Sequence, residues 1–257
     1  MTAKHELFRS LHVPGTPLRL PNAWDVASAR VIEDAGAQAI ATTSAGVAWG
    51  MGEPDGDRLE PARILDLMAR IAGKVEVPVT ADIESGSDNV GEFVTGLWQA
   101  GVVGINIEDG ARPPAELAAR IRIAHEAAPE LFINARIDTF LFGLGDPETR
   151  LQATVDRAAE YISAGASGIF VPGVTDLATI ETLASAISAP VNTMAGFGAP
   201  SVDAQAEVGV ARVSLGGGIA GAAYALARDS AHELLSRGTY SLLGNQFDYG
   251  LLNKLLS

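Results

Sequence analysis

Along the chain, short runs of aliphatic and β-branched residues alternate with longer stretches whose apolar positions recur every three to four residues. The short runs predict strands at Leu18–Asn22, Ala39–Ser44, Val77–Glu84, Val103–Glu108, Leu131–Asp138, Gly168–Pro172, Val191–Ala195 and Ala211–Gly216. The stretches between them predict helices, among them "PARILDLMARIAG", "NVGEFVTGLWQAG" and "PETRLQATVDRAAEYISAG", several closing on the Gly that a helix C-terminus favours. Eight such β-α units of about 30 residues match a (β/α)8 TIM barrel, typically about 250 residues long. A doubly wound sheet would carry a glycine-rich turn after its first strand; the turn here reads "LPNAWDVAS". No linker or low-complexity segment interrupts the pattern, so residues 1–257 are read as one barrel domain. Two pieces lie outside it as extra terminal helices. "HELFRSL" is expected to cover the barrel bottom, and "TYSLLGNQFDYGLLNKLLS" to pack on the barrel or on a neighbouring subunit.

Side chains alternate along a strand, so the same runs also show which residues face the barrel axis. At the C-terminal strand ends, where a barrel carries its active site, the inward positions are polar: Asp82 and Glu84, then Asn106 and Glu108, then Asn134, Arg136 and Asp138. Ile105, Ile107, Ile133, Ala135 and Ile137 between them can face the helices. Asp109 and Asp138 could instead be helix N-caps. Asp82, Glu84 and Glu108 beside Arg136 leave negative charge unbalanced, which a divalent cation would offset. Oxygen-only ligands, without Cys and without His at any predicted strand end, favour Mg2+, with Mn2+ as the alternative, over zinc.

Composition narrows the rest. A net charge of −13 argues against nucleic acid or an anionic membrane surface as partner. The absence of cysteine excludes disulfides, thiolate metal sites and a cysteine nucleophile. No apolar run approaches the roughly 20 residues of a membrane span, and the first 15 residues hold no signal-peptide core, so a cytoplasmic protein is expected. Lys4, Lys74 and Lys254 are the only lysines and none falls at a strand C-terminal end, which disfavours a Schiff-base aldolase. "SLGGGIAG" suits a phosphate-binding turn, but acids in the mouth would repel a phosphate. A barrel that only binds or scaffolds is the non-enzymatic alternative.

"LPNAWDVASARVIEDAGAQAIATTSAG", "GEPDGDRL", "VTADIESG", "GINIEDG", "FINARID" and "VNTMAG" together resemble, in order, the isocitrate lyase/phosphoenolpyruvate mutase superfamily, over about Leu18 to Asn253. The resemblance implies a barrel, commonly tetrameric, often with its last helix exchanged between subunits. It also implies Mg2+ binding and the making or breaking of a C–C or P–C bond beside a 2-oxo acid or enolpyruvate unit. By position, it makes Asp82 the direct metal ligand, with Asp55, Glu84 and Glu108 acting through metal-bound water. Ser44, Ala45 and Gly46 would hold a substrate carboxylate, Arg136 the pyruvoyl end, and Asn192 would line the pocket. Asp55, Glu108 and Arg136 are the residues expected to take part in the chemistry of a small anionic 2-oxo or 2-hydroxy acid. The chain departs from the pattern where leaving groups are selected. Lyases of the superfamily that act on isocitrate or methylisocitrate carry K-K-C-G-H after the Glu108 strand, whereas this loop is "EDGARPPAEL". They also place Glu beside the Pro equivalent to Pro172, where this chain has Gly173, and the loop Lys and Asn of the phosphonomutases are missing. The expected activity is Mg2+-dependent C–C lysis, with oxaloacetate decarboxylation one case. The alternatives are retro-aldol cleavage of a substituted malate, or a phosphonomutase or C–C hydrolase reaction.

Overall fold

The computed structural model describes residues 2–257, and its strands form the expected barrel. They are β1 (Leu18–Leu20), β2 (Asn22–Ala23), β3 (Ile40–Thr42), β4 (Val79–Asp82), β5 (Gly104–Glu108), β6 (Phe132–Arg136), β7 (Gly168–Val171), β8 (Val191–Met194) and β9 (Arg212–Ser214). All pair in parallel, in the order β1-β9-β8-β7-β6-β5-β4-β3-β2. β1 and β2 are halves of one predicted strand, parted at Pro21, which has no N–H to give to a sheet. The first half pairs with β9 and the second with β3, so the ring of eight staves closes at the proline. Asn22 staples this seam: its Nδ2 donates to the Thr42 carbonyl at 2.9 Å, and its Oδ1 accepts from the Leu215 N–H at 2.9 Å.

The alternation read from the sequence separates two apolar clusters. Ile105, Ile107, Ile133, Ala135, Ile137, Ile169 and Val171 face the helices in the larger one. The smaller fills the barrel end away from the polar mouth with Phe8, Leu18, Leu20, Ala39, Ala41, Val103 and Phe132. Phe8 comes from the helix Thr2–Ser10, which covers the barrel bottom as expected. Gly104 admits its ring, because a Cβ there would lie 2.7 Å from Phe8 Cε1. His12 stacks on Phe132 at 4.1 Å and holds the Phe8 carbonyl through Nδ1 at 2.8 Å.

Two boundaries differ from the sequence reading. β4 stops at Asp82 because Glu84 takes a left-handed φ of 54°, which ends the extended backbone. β3 stops at Thr42, and Ser44–Gly50 forms a short helix where a strand end and loop are expected. Glycines at both 46 and 50 lower its intrinsic helix propensity. Tertiary packing overrides this: a Cβ at position 46 would lie 2.8 Å from Trp24 Cβ and 3.2 Å from Ala220 Cβ, so the helix closes against both only with Gly there. The helix Gly218–Arg237 buries only Ala220 and Glu233 and leaves Tyr224, Leu226, Leu234 and Leu235 exposed. A groove of about 700 Å³ remains between the helices Val26–Asp34 and Val202–Glu207, lined by Pro17, Ala35, Val202, Ala206 and Ile219. The terminal helix Tyr249–Leu256 returns to the Val26–Asp34 helix, where Arg30 Nε donates to the Leu255 carbonyl at 2.8 Å. Among the described residues no helix is long and apolar enough to cross a membrane.

Candidate active site

Register brings the inward polar residues together. Asp82 lies beside Asn106, Asn106 beside Asn134, and Glu108 beside Arg136 on neighbouring strands. Arg136 binds Glu108 through Nη1 at 2.5 Å and Asp138 through Nε at 2.7 Å. Asp138 is thus a partner of Arg136 and not a helix cap. Asp82 takes the Ser44 N–H on its carboxylate, while its own N–H donates to Thr42 Oγ1 at 3.0 Å. Beyond the strand, Glu84 no longer follows the alternation that would place it above Asp82. Its left-handed backbone turns the carboxylate onto the Asp57 N–H, although Asp82 and Asp55 remain close enough to repel it.

The electrostatics are those of too many acids for the cations present. Burial pushes the Asp82 carboxyl up, against the pull of Arg136. Glu84 is pushed up to about 8 by burial and by Asp57, Asp55 and Asp82. Glu108 also reaches about 8, because burial outweighs its Arg136 partner and Asp82, Asp138 and Glu84 add to the repulsion. Among the described residues, no three His, Asp or Glu side chains close into a ready-made metal cage. Mg2+ needs none, since it takes one or two carboxylates, substrate oxygens and water. The all-oxygen donor set and the raised carboxyls fit that ion: Asp82 would hold it, and Glu84 and Glu108 would hold its water shell.

The remaining predicted residues fall in different places. Ser44 and Ala45 open the short helix beside Asp82, while Gly46 is occupied with packing on Trp24 and Ala220. Asp55 is exposed on the loop between the short helix Ser44–Gly50 and the helix Pro61–Ala72, near enough to Asp82 and Glu84 to raise both. Asn192 is buried in the wall, donating to the carbonyls of Thr193 (2.7 Å) and Arg212 (3.1 Å) and accepting from Asn134 (3.1 Å). It is a wall amide before it is a pocket residue.

Sequence reasoning missed three features. Asp109 is not an N-cap but an anchor: fully buried, it accepts from Arg157 (2.6 Å), Tyr161 (2.8 Å) and the Asp138 N–H (3.0 Å). That knot fixes the root of the loop after β5. The loop's Arg112 then pairs with Asp57 at 3.0 Å, and Asp57 Oδ1 accepts the Ser85 N–H at 3.2 Å, tying three strand-end loops together beside a cavity of about 720 Å³. Finally, Arg212 lies wholly inside the barrel, where burial lowers it to about 9 and still leaves it charged at neutral pH. The barrel therefore has two inward guanidiniums, Arg136 at the mouth and Arg212 beneath it, where one is expected. An arginine at an inward position of "ARVS" was the available signal.

A family model described as phosphoenolpyruvate phosphomutase matches residues 8–235. A protein of Mycobacterium tuberculosis H37Rv is 39% identical over 240 residues, covering 90% of this chain and 91% of its own. The 2-methylisocitrate lyase of Escherichia coli K12 is 31% identical over 237 residues, covering 80% of this chain and 78% of its own. A crystal structure from Burkholderia cenocepacia J2315 superposes with a TM-score of 0.83 at 38% identity, covering 92% of this chain and 99% of its own. A polar mouth on a barrel of this topology, with the model match spanning nearly the whole chain, makes it a member of the phosphoenolpyruvate phosphomutase family, within the isocitrate lyase/phosphoenolpyruvate mutase superfamily of lyases and mutases.

Proposed function

We propose that the chain is a Mg2+-dependent carbon–carbon lyase acting on a small 2-oxo or 2-hydroxy acid, and that decarboxylation of oxaloacetate is the reaction its mouth suits best. The observation that carries this reading is the excess of buried and half-buried carboxyls, Glu84, Asp82 and Glu108, raised by burial and mutual repulsion beside Arg136. Mg2+, or Mn2+ in its place, would supply Lewis-acid stabilisation of the negative charge that develops on the substrate's C2 oxygen. Arg136 suits the carboxylate next to C2: Nε and Nη1 are held by acids, and Nη2 has no protein partner among the described residues. With the Ser44 N–H given to Asp82, the Ala45 and Gly46 N–H groups at the start of the Ser44–Gly50 helix would supply further donors on the Asp82 side.

The leaving group decides between reactions. In decarboxylation the C3–carboxylate bond breaks, its electron pair passes to C2–C3 as the enolate of pyruvate, CO2 leaves, and C3 later takes a proton from water. No acid is needed for the departing fragment. Retro-aldol cleavage releases a carbanion that must be protonated, and the loop "EDGARPPAEL" offers no Lys, Cys or His for it. Water or a carboxyl such as the exposed Asp55 would have to supply that proton. The similarity to 2-methylisocitrate lyase favours this second reading.

The test is a panel of oxaloacetate, substituted malates, isocitrate, methylisocitrate and phosphonopyruvate with Mg2+. Release of CO2 and pyruvate from oxaloacetate above the free-Mg2+ background, abolished by EDTA, is the expected result. A substituted malate clearly preferred would replace the decarboxylase by the aldol lyase, and turnover of none would leave a binding protein. We also propose a homo-oligomer, a tetramer by resemblance, in which the exposed Gly218–Arg237 helix of a second copy occupies the Pro17–Ala206 groove. The exposed apolar face and the groove support that arrangement.

A further inference from the structure

The barrel interior beneath the mouth holds a chain of amides that ends on a cation. Arg212 Nη2 donates to Asn106 Oδ1 at 3.1 Å, and Asn134 Nδ2 donates to the same oxygen at 2.9 Å and to Asn192 Oδ1 at 3.1 Å. A guanidinium has no acceptor, so the Asn106 atom facing it must be oxygen. Arg212 thus sets the direction of the whole ladder and turns the Asn106 NH2 away from itself. That nitrogen has no protein acceptor among the described residues. Unlike Arg212 Nε and Nη1, it is not sealed from solvent. It therefore opens onto the mouth, beside Asp82 on the neighbouring strand and one inward position below Glu108.

From this geometry we infer that Asn106 Nδ2 is a substrate-binding donor on the pocket floor, reserved for an oxygen of the oxo acid, and that Arg212 is the positioning residue that keeps it pointing there. This rests on the oxo-acid reading above. A donor on the floor of an acid-lined mouth gives substrate oxygens a second fixed point besides Arg136, and favours a 2-oxo or 2-hydroxy acid over a 2-amino acid. Arg212 is an expensive choice for stability alone, because it is a wholly buried cation with two nitrogens unpaired. A ladder serving only the fold would not need it.

The test uses oxalate, a planar dianion shaped like the enolate of pyruvate, titrated by calorimetry into the Mg2+-saturated protein, with Mg2+ affinity and melting temperature measured alongside. Asn106→Asp keeps the shape and the acceptor for Arg212 but replaces the donor, and Arg212→Met removes the charge at similar length. In both variants oxalate should bind roughly tenfold or more weakly, as for loss of a hydrogen bond to a charged group. Mg2+ should bind at least as tightly as in the wild type, and the melting temperature of Arg212→Met should hold or rise. Unchanged oxalate affinity in the variants overturns the inference alone. So does a parallel fall in oxalate affinity, Mg2+ affinity and melting temperature, which would mark a structural ladder. If the wild type binds no oxalate, the oxo-acid reading falls and takes this inference with it.

Discussion

Asp82, Glu84 and Glu108 show how far single residues can be read before a structure is known. Alternation places Asp82, Asn106, Glu108, Asn134 and Arg136 correctly on one face, because the strands remain extended up to those positions. It fails at Glu84, where the backbone turns left-handed and the side chain leaves the series. Arg212 escapes a reading of strand C-terminal ends because it stands at the start of its strand. Tilted, staggered staves bring such a position level with the middle of others. A prediction follows from the crowded acids. Glu84 and Glu108 titrate near 8 in the folded protein, well above about 4.3 for an unperturbed Glu. Between those values the folded state holds more protons than the unfolded one, so stability falls as pH rises through that window. Without Mg2+ the melting temperature should drop from pH 6 to pH 9, and Mg2+ should restore most of the loss. Calorimetry at pH 7 in buffers of different ionisation enthalpy should show protons released as Mg2+ binds, and Asp82→Asn should bind Mg2+ at least tenfold more weakly. A melting temperature independent of pH would remove the electrostatic account.

Elements were legible where periodicity and burial agree. All eight staves are present, because parallel strands covered on both faces read as apolar runs. The Ser44–Gly50 helix was not legible, since its glycines argue against a helix and only Trp24 and Ala220, distant in sequence, favour it. The Thr2–Ser10 helix was legible in outline, yet nothing local tells that Phe8 enters the barrel. Its burial and the glycine opposite are strong reasons to expect a large penalty for truncation. Phe8→Ala should destabilise the fold by about 3–5 kcal/mol, the range for emptying a core aromatic site. Chemical denaturation would measure it. A loss below about 1 kcal/mol would mean that the helix is a lid the barrel does without.

For the whole molecule, the hydrophobic pattern foretold one barrel with extra helices, whereas only the family resemblance, which implies exchange between subunits, anticipated so exposed a last barrel helix. Its composition is the same whether it packs on this barrel or on another, so local pattern carries no information about the choice. The exposed helix and the groove make the proposed assembly a matter of mass action. Sedimentation should give an oligomer whose melting temperature rises with protein concentration. Leu235→Glu with Leu234→Glu on the exposed face should shift it toward monomer. A monomer at all concentrations would refute helix exchange.

The seam at Pro21 sets a timetable as well as a shape. β1 must wait for β9, whose residues Arg212–Ser214 are synthesised some two hundred positions later, before Leu18 and Leu20 have partners. Until then β2 can already rest on β3 through Asn22, while β1 hangs unpaired beyond the proline. The break lets one stave be built in two instalments, the first with its neighbour in sequence and the second with the far end of the chain. A nascent chain released before Ser214 would therefore present an open arc with two bare edges, and the Asn22 bridge to Leu215 would be among the last bonds made.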